Sequence, residues 1–295
     1  EDPSQAKGLV KRDVVKIITP GTITEAGLNE KENNFLAAIY ETDARYTLAY
    51  ADVSTGQMYL TNIEDEEALA NEILSLHTKE VICLSSLKIK ILNILHDNYQ
   101  IVISRCDDTI LIDDYKYLIE GLDLEKFKDD IPCISILINY ISKTQRHNLY
   151  HLQPIKFYSS NQVLHLDPFS KRNLELTETL RQNQKSGSLL WLLDKCQTAM
   201  GSRKLHTWID RPLIDRNEII KRHNYVEALI NNYVAKEEIK ESLKTVYDLE
   251  RIIGRISVGN ANAKDLVQLR RSLANIPNFK KNVMALGTDD AISFA

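Results

Sequence analysis

An α/β unit followed by an all-α unit is the fold class this sequence predicts, and three patterns in the chain predict it. Apolar residues alternate with period two between Phe35 and Asn62; strand and helix periods then take turns up to Ile103; beyond Asp167 nearly every apolar stripe has the helical period. The 295 residues, 43% hydrophobic and 26% charged, have the profile of a globular protein with apolar mass for about two domains.

Residues 1–32 read as a connecting segment, in which Val14-Val15-Lys16-Ile17-Ile18 runs into the turn signal Pro20-Gly21. Both ends, Glu1 and Phe294-Ala295, read as cut from a longer chain, with neighbours expected on each side. Residues 35–42, 46–53 and 57–62 are separated by Asp43-Ala44-Arg45 and Ser54-Thr55-Gly56, which predicts three antiparallel strands in a meander. From Glu64 the period changes: Leu69, Ile73, Leu74 and Leu76 share a face, behind an acidic turn, Glu64-Asp65-Glu66-Glu67, that suits the positive end of a helix. A short buried strand at 81–84, a helix at 87–95 and a last strand at 101–103 complete an alternation that favours parallel pairing. The resulting mixed sheet, order βββαβαβ, has the element order of ribonuclease-H-like folds. Ile134, Leu137, Ile138 and Ile141 form a helix that closes this domain, placed at 33–153, with the polar stretch 145–154 as its boundary.

In 154–295 a short strand at 163–166 gives way to helices. Asp167-Pro168 is an N-cap with proline in the first turn, Ser186-Gly187-Ser188 and Asp215 open later helices, and Ile219, His223, Val226 and Leu229 or Ile230 keep one stripe. The expectation is a bundle of long helices with Trp191 and Trp208 in its core, since both lie in apolar stripes.

A net charge of −4, from 41 acidic and 37 basic residues, attracts a polyanion only where basic residues cluster. The pairs Lys11-Arg12, Lys171-Arg172, Arg270-Arg271 and Lys280-Lys281 are short and scattered, and read as solvated helix faces. Cys83, Cys106, Cys133 and Cys196 never approach Cys-x-x-Cys spacing and read as reduced thiols. With no apolar run of the ~18 residues needed to span a bilayer and no signal peptide, the expected location is the cytoplasm.

A ribonuclease-H-like order raises a nuclease, which needs carboxylates on adjacent strands to hold two metal ions. Residues 35–40 carry no acid, and Glu41, Asp43 and Asp52 fall at strand ends or turns, Asp52 as a turn cap; a degenerate nuclease with weak metal-dependent activity is the alternative reading. Asp52-Val53-Ser54-Thr55-Gly56 also suggests a phosphate-binding hairpin or half an aspartic dyad, but lacks a second copy, and a hairpin turn with Gly56 at positive φ explains it. No Gly-x-x-x-x-Gly-Lys-Ser/Thr loop occurs, and Ser186 to Ser188 lacks the nucleophile elbow. His147 and His151 have the spacing of a helical metal pair, yet they sit in the boundary stretch without an acidic companion.

Several blocks together resemble one family. Ala6-Lys7-Gly8-Leu9-Val10 after Glu1-Asp2-Pro3, Thr19-Pro20-Gly21-Thr22, residues 36–40 and 51–56, Leu166-Asp167 with 171–176, Gly187-Ser188-Leu189-Leu190, residues 198–203 and 208–212, Asp248-Leu249-Glu250-Arg251 and Asp265-Leu266 are similar to the MutS family of DNA mismatch repair proteins. Phe169-Ser170-Lys171 departs from the small residue, Thr and Arg more usual there. The resemblance implies the tail of a mismatch-binding domain at 1–32, a connector domain at 33–153 and an incomplete core helical domain at 154–295. It implies a homodimeric, DNA-dependent ATPase using ATP and Mg. The mismatch wedge, the DNA clamp and the nucleotide site would lie outside this chain, leaving it without catalytic, cofactor or metal residues. Connector and core would couple mismatched DNA to the nucleotide site, and the connector would dock the partner MutL. For that surface the sequence offers residues 106–117, where Asp107, Asp108, Thr109, Asp113 and Asp114 bracket Ile110-Leu111-Ile112; the competing reading is a helix cap with Ile110 and Leu111 buried. Dimer contacts being elsewhere, and no long exposed apolar stripe being legible, the chain alone is expected to be monomeric and to bind DNA only weakly.

Overall fold

In the computed structural model, which describes residues 14–24, 27–146, 149–159, 162–164, 166–182 and 184–287, six strands form one mixed sheet that runs in space Val102–Arg105, Glu80–Cys83, Leu36–Glu41, Tyr46–Asp52, Gln57–Ile63 and Lys156–Phe157. Strands β1 (Leu36–Glu41), β2 (Tyr46–Asp52) and β3 (Gln57–Ile63) make the antiparallel meander. β4 (Glu80–Cys83) and β5 (Val102–Arg105) add in parallel beside β1. Their register follows from burial on both faces. Leu36, Ala38, Ala49, Ala51, Met58 and Leu60 pack on α3 (Ile131–Gln145), while Ala37, Ile39, Leu48 and Tyr50 pack on α1 (Glu66–Ser75) and α2 (Lys90–Tyr99). A slip of one residue would exchange the two faces.

β6 (Lys156–Phe157) pairs in parallel with β3, Tyr59↔Lys156 and Leu60↔Phe157, and lies beyond the boundary stretch. Two residues are too few to show an alternation. Among the described residues of the strand expected at 163–166, the pairing is corrected to an isolated antiparallel bridge, Val163↔Leu213. The facing segment contains Pro212, which has no N–H with which to extend a ladder.

Seven helices follow among the described residues: α4 (Pro168–Asn173), α5 (Leu189–Leu193), α6 (Ala199–Asp210), α7 (Arg216–Asn231), α8 (Tyr233–Leu243), α9 (Leu249–Ser257) and α10 (Ala263–Met284). Asp167, Ser188, Thr198, Asp215, Asp248 and Asn262 each accept an N–H of the first turn that they cap. These frequent caps cut the segment into short pieces, so a bundle of long helices describes only α7 and α10. The core role expected for two tryptophans is also corrected: Trp191 is 52% and Trp208 40% exposed. Each lies beside a cation instead, Trp208 with the Arg222 guanidinium carbon 3.8 Å from its ring centre. Val226, Ile230, Ile253, Leu266, Leu273 and Ile276 are exposed as well, which removes the premise that no apolar stripe is open on this half.

Candidate functional site at the junction of sheet and helices

The β2–β3 hairpin is built by Asp52. Its Oδ1 accepts the Ser54 N–H at 2.9 Å and the Ser54 hydroxyl at 2.6 Å, and its Oδ2 accepts the Asn34 N–H at 3.1 Å, so the turn-cap role read from the sequence is the observed one. Burial raises the Asp52 pKa, against the hydrogen bonds from Ser54 and Asn34 and the charge of Arg251. Gly56 closes the turn at φ 78°, and a Cβ there would sit 2.1 Å from the His151 carbonyl oxygen. Helix α9 arrives from the other side. A Cβ on Gly254 would be 2.5 Å from the Ser54 carbonyl oxygen, so only glycine lets α9 approach the hairpin this closely. His151 packs into the same corner with Nε2 2.8 Å from the Val53 carbonyl oxygen, a backbone role for one member of the suggested histidine pair. Its companion, His147, lies outside the described residues, as do Glu1 to Pro3, Ala6 to Val10, Lys11-Arg12 and the last residues to Ala295.

Two buried arginines, Arg203 and Arg251, and a half-buried one, Arg211, hold helices and sheet together. Arg203 of α6, 3% exposed, donates to both Asp248 oxygens at 2.6 and 2.9 Å, to Glu250 at 2.6 Å and to the Glu30 carbonyl at 2.8 Å. Burial disfavours its charge, but Asp248 and Glu250 outweigh that and raise its pKa. Arg251 of α9 donates to the carbonyls of Asn29 at 2.9 Å and Glu32 at 2.6 Å, in the segment leading into β1. Arg211, just past α6, pairs with Glu72 of α1, reaches the Tyr50 hydroxyl at 3.2 Å and lies 5.0 Å from the Tyr158 ring centre. Burial pushes the Tyr50 hydroxyl up to about 12, the nearby Arg211 charge opposing. Gln57 adds a bond to Glu250 at 2.8 Å.

Next to Arg211, Asp210 is 6% exposed and accepts His206 Nδ1 at 2.9 Å, with His77 Nε2 at 3.7 Å and Lys171 Nζ at 3.4 Å. Burial opposes its charge, yet hydrogen bonds from His206 and His77 win and hold the carboxyl well below the usual range. His77, His206 and Asp210, with Tyr50, Tyr59, Tyr158 and Arg203, line a cavity of about 470 Å³ between the sheet and α6.

The acidic loop proposed for partner docking is a separate surface. Asp107 accepts the Ser85 N–H and hydroxyl, each at 2.8 Å, which lowers its pKa; Asp108 pairs with Lys143, and Asp113 with Lys116 at 2.8 Å. Thr109 is half-buried and Asp114 exposed. Asn139 of α3 pins the loop by donating to the carbonyls of Asp108 at 3.2 Å and Ile110 at 2.8 Å. The buried-cap reading is corrected for Ile110, whose side chain is 83% exposed; Leu111 packs partly on the core, and a 3-10 helix, Asp113–Ile119, begins without a side-chain cap.

Of the acids weighed for nuclease chemistry, Glu41 accepts the Tyr46 hydroxyl at 3.2 Å and Asp52 is committed to its turn. Glu80, which the sequence reading passed over, is fully buried on β4 next to β1 and accepts from Gly21 N–H at 2.9 Å and from Ser104 and Tyr140 hydroxyls, each at 2.5 Å. Arg203, Arg211 and Arg251 have no role legible in the sequence, because their partners are distant along the chain. His77 and His206 are not among the candidate residues above, although the four-residue spacing of His206 and Asp210 on one helix face is a legible signal.

Comparison with known proteins adds a family. The sequence profile of MutS domain II matches residues 34–153, and that of MutS domain III matches 170–292. The DNA mismatch repair protein MutS of Geobacillus sp. (strain WCH70) is 42% identical over 297 residues, covering 100% of this chain and 34% of that protein. The proteins of the same name from Geobacillus kaustophilus (strain HTA426) and Bacillus cereus (strain G9842) are 44% identical over 293 residues and 46% over 280, covering 99% and 94% of this chain. The chain spans about a third of the length of the curated relatives it matches.

Proposed function

This chain belongs to the MutS family and carries its domains II and III, and from that premise we propose that it is the segment through which a mismatch repair ATPase couples its DNA site to its nucleotide site. The observation that carries the reading is the junction itself. Coupling over a distance needs rigid parts with discrete contacts, and here Arg203, Arg211 and Arg251 fasten α6, its C-terminal end and α9 to the sheet and its lead-in while Gly254 seats α9 on the hairpin. The same reading takes the sheet domain, 33–153, as a ribonuclease-H-like connector that has a structural rather than nucleolytic role, and the helices from 154 as the core domain. It takes the complete protein as a cytoplasmic homodimer that binds mismatched duplex DNA, ATP and Mg through parts outside this chain, and the chain alone as non-catalytic.

In a full-length MutS carrying this segment, Gly254→Val forces α9 away from the Ser54 carbonyl. Stimulation of ATP hydrolysis by a mismatched duplex is expected to drop by about fivefold or more, with the unstimulated rate unchanged. Full stimulation in a variant whose amide exchange shows the α9 contact open would remove the coupling role.

The family resemblance also supports a MutL docking surface on the connector, and the loop 106–117 suits it. Exposed Ile110 and Ile112 give an apolar centre, and Asp107, Asp108, Thr109, Asp113 and Asp114 a polar rim. Because Asp107 and Asp108 also serve Ser85 and Lys143, the clean probe is Ile110→Glu. Weakening of MutL binding by about tenfold at an unchanged thermal midpoint is the expected result; undiminished binding rules this surface out.

A further inference from the structure

His77 stands two residues beyond the end of α1, held at φ 52°, while His206 and Asp210 share one face of α6. One ligand atom from each lies within 4.8 Å of the others, and the two imidazole rings are 5.6 Å apart. Two imidazole nitrogens and a carboxylate oxygen converging from two elements form a donor set that zinc favours, with metal–ligand bonds of about 2.0–2.2 Å. We propose that His77, His206 and Asp210 bind a zinc ion that pins the end of α1 to α6, and with it the connector to the core helices. The proposal stands on this geometry alone and holds whether or not the junction transmits a signal.

The carboxylate is ready for the ion. Asp210 Oδ2 faces both imidazoles, at 2.9 Å from His206 Nδ1 and 3.7 Å from His77 Nε2, so a small outward shift makes room for a metal. Binding replaces the proton that His206 Nδ1 shares with Asp210, which moves to Nε2 or to solvent. His77 is 51% exposed, leaving a way in from solvent and a fourth position for water. Lys171, 3.4 Å from the other Asp210 oxygen, is the like-charged neighbour that tempers the affinity.

The test is calorimetric titration of the metal-stripped chain with zinc chloride, followed by thermal unfolding with and without the ion. One equivalent should bind and raise the thermal midpoint. His77→Asn, which keeps a residue tolerant of the left-handed backbone, and His206→Gln should each weaken binding by about tenfold or more while circular dichroism stays that of the parent. Lys171→Gln, which removes the competing charge, should tighten it. Absence of binding to the parent chain, or binding that survives both histidine substitutions, overturns the site.

Discussion

His151 is buried with Nε2 on the Val53 carbonyl and with no polar partner at Nδ1 among the described residues. Burial lowers its pKa below the ordinary histidine value, against the Val53 hydrogen bond and the Asp52 charge. A lowered folded-state pKa means that the unfolded chain binds the extra proton first. The contribution of His151 is therefore complete above about pH 6.5 and is lost as the pH falls toward the folded value. His151→Gln keeps a donor for Val53 and cannot titrate. In urea unfolding, the parent should lose stability relative to His151→Gln between about pH 7.5 and 5.5; parallel profiles would show that folded and unfolded His151 take up the proton at the same pH, and so that burial does not shift it. The neighbouring Asp52 and Gly56 were legible in the sequence because their partners are local: a cap two residues on and a positive φ. His151 and the three arginines were not. Arg203 answers to Glu30 and Asp248, and Arg251 to Asn29 and Glu32, pairings that no local pattern encodes.

The elements divide along the same line. β1 to β5 and α1 to α3 have a period of their own, two or near four, and the residues that alternate in the sequence are those that alternate between the two buried clusters. β6 is placed by pairing with β3, and a two-residue strand carries no period. Helix starts were readable from Asp167, Ser188 and Asp215, whose side chains compete for the first free N–H groups. What covers a helix was not. An apolar stripe states which face avoids water, not whether anything lies against it, which is why Trp191 and Trp208 read as core and stand half-exposed. In α9 the deciding feature is the reverse of a stripe: Gly254, a residue with no side chain, marks the contact with the hairpin. The metal-type cluster was half legible, since His206 and Asp210 share a helix while His77 comes from the far side of the junction.

Among the described residues, sheet and helices are joined by charge rather than by a continuous apolar core, the two buried apolar clusters lying in the sheet layers. Breaking a buried ion pair from one side costs about 3–5 kcal/mol, so the junction is stiff while its pairs stand and fails sharply when one is removed. The two halves also carry separate reporters. Both tryptophans are in the helical half, and Cys133, fully buried on α3, is in the sheet half. The most direct measurement is urea unfolding of the chain followed at once by tryptophan fluorescence and by mass-spectrometric labelling of Cys133. In the parent the two transitions should coincide, and in Arg203→Met the tryptophan transition should move to lower urea while Cys133 keeps its own midpoint. Transitions that are already separate in the parent, and that Arg203→Met leaves where they were, would show that the halves fold independently and that the junction couples nothing.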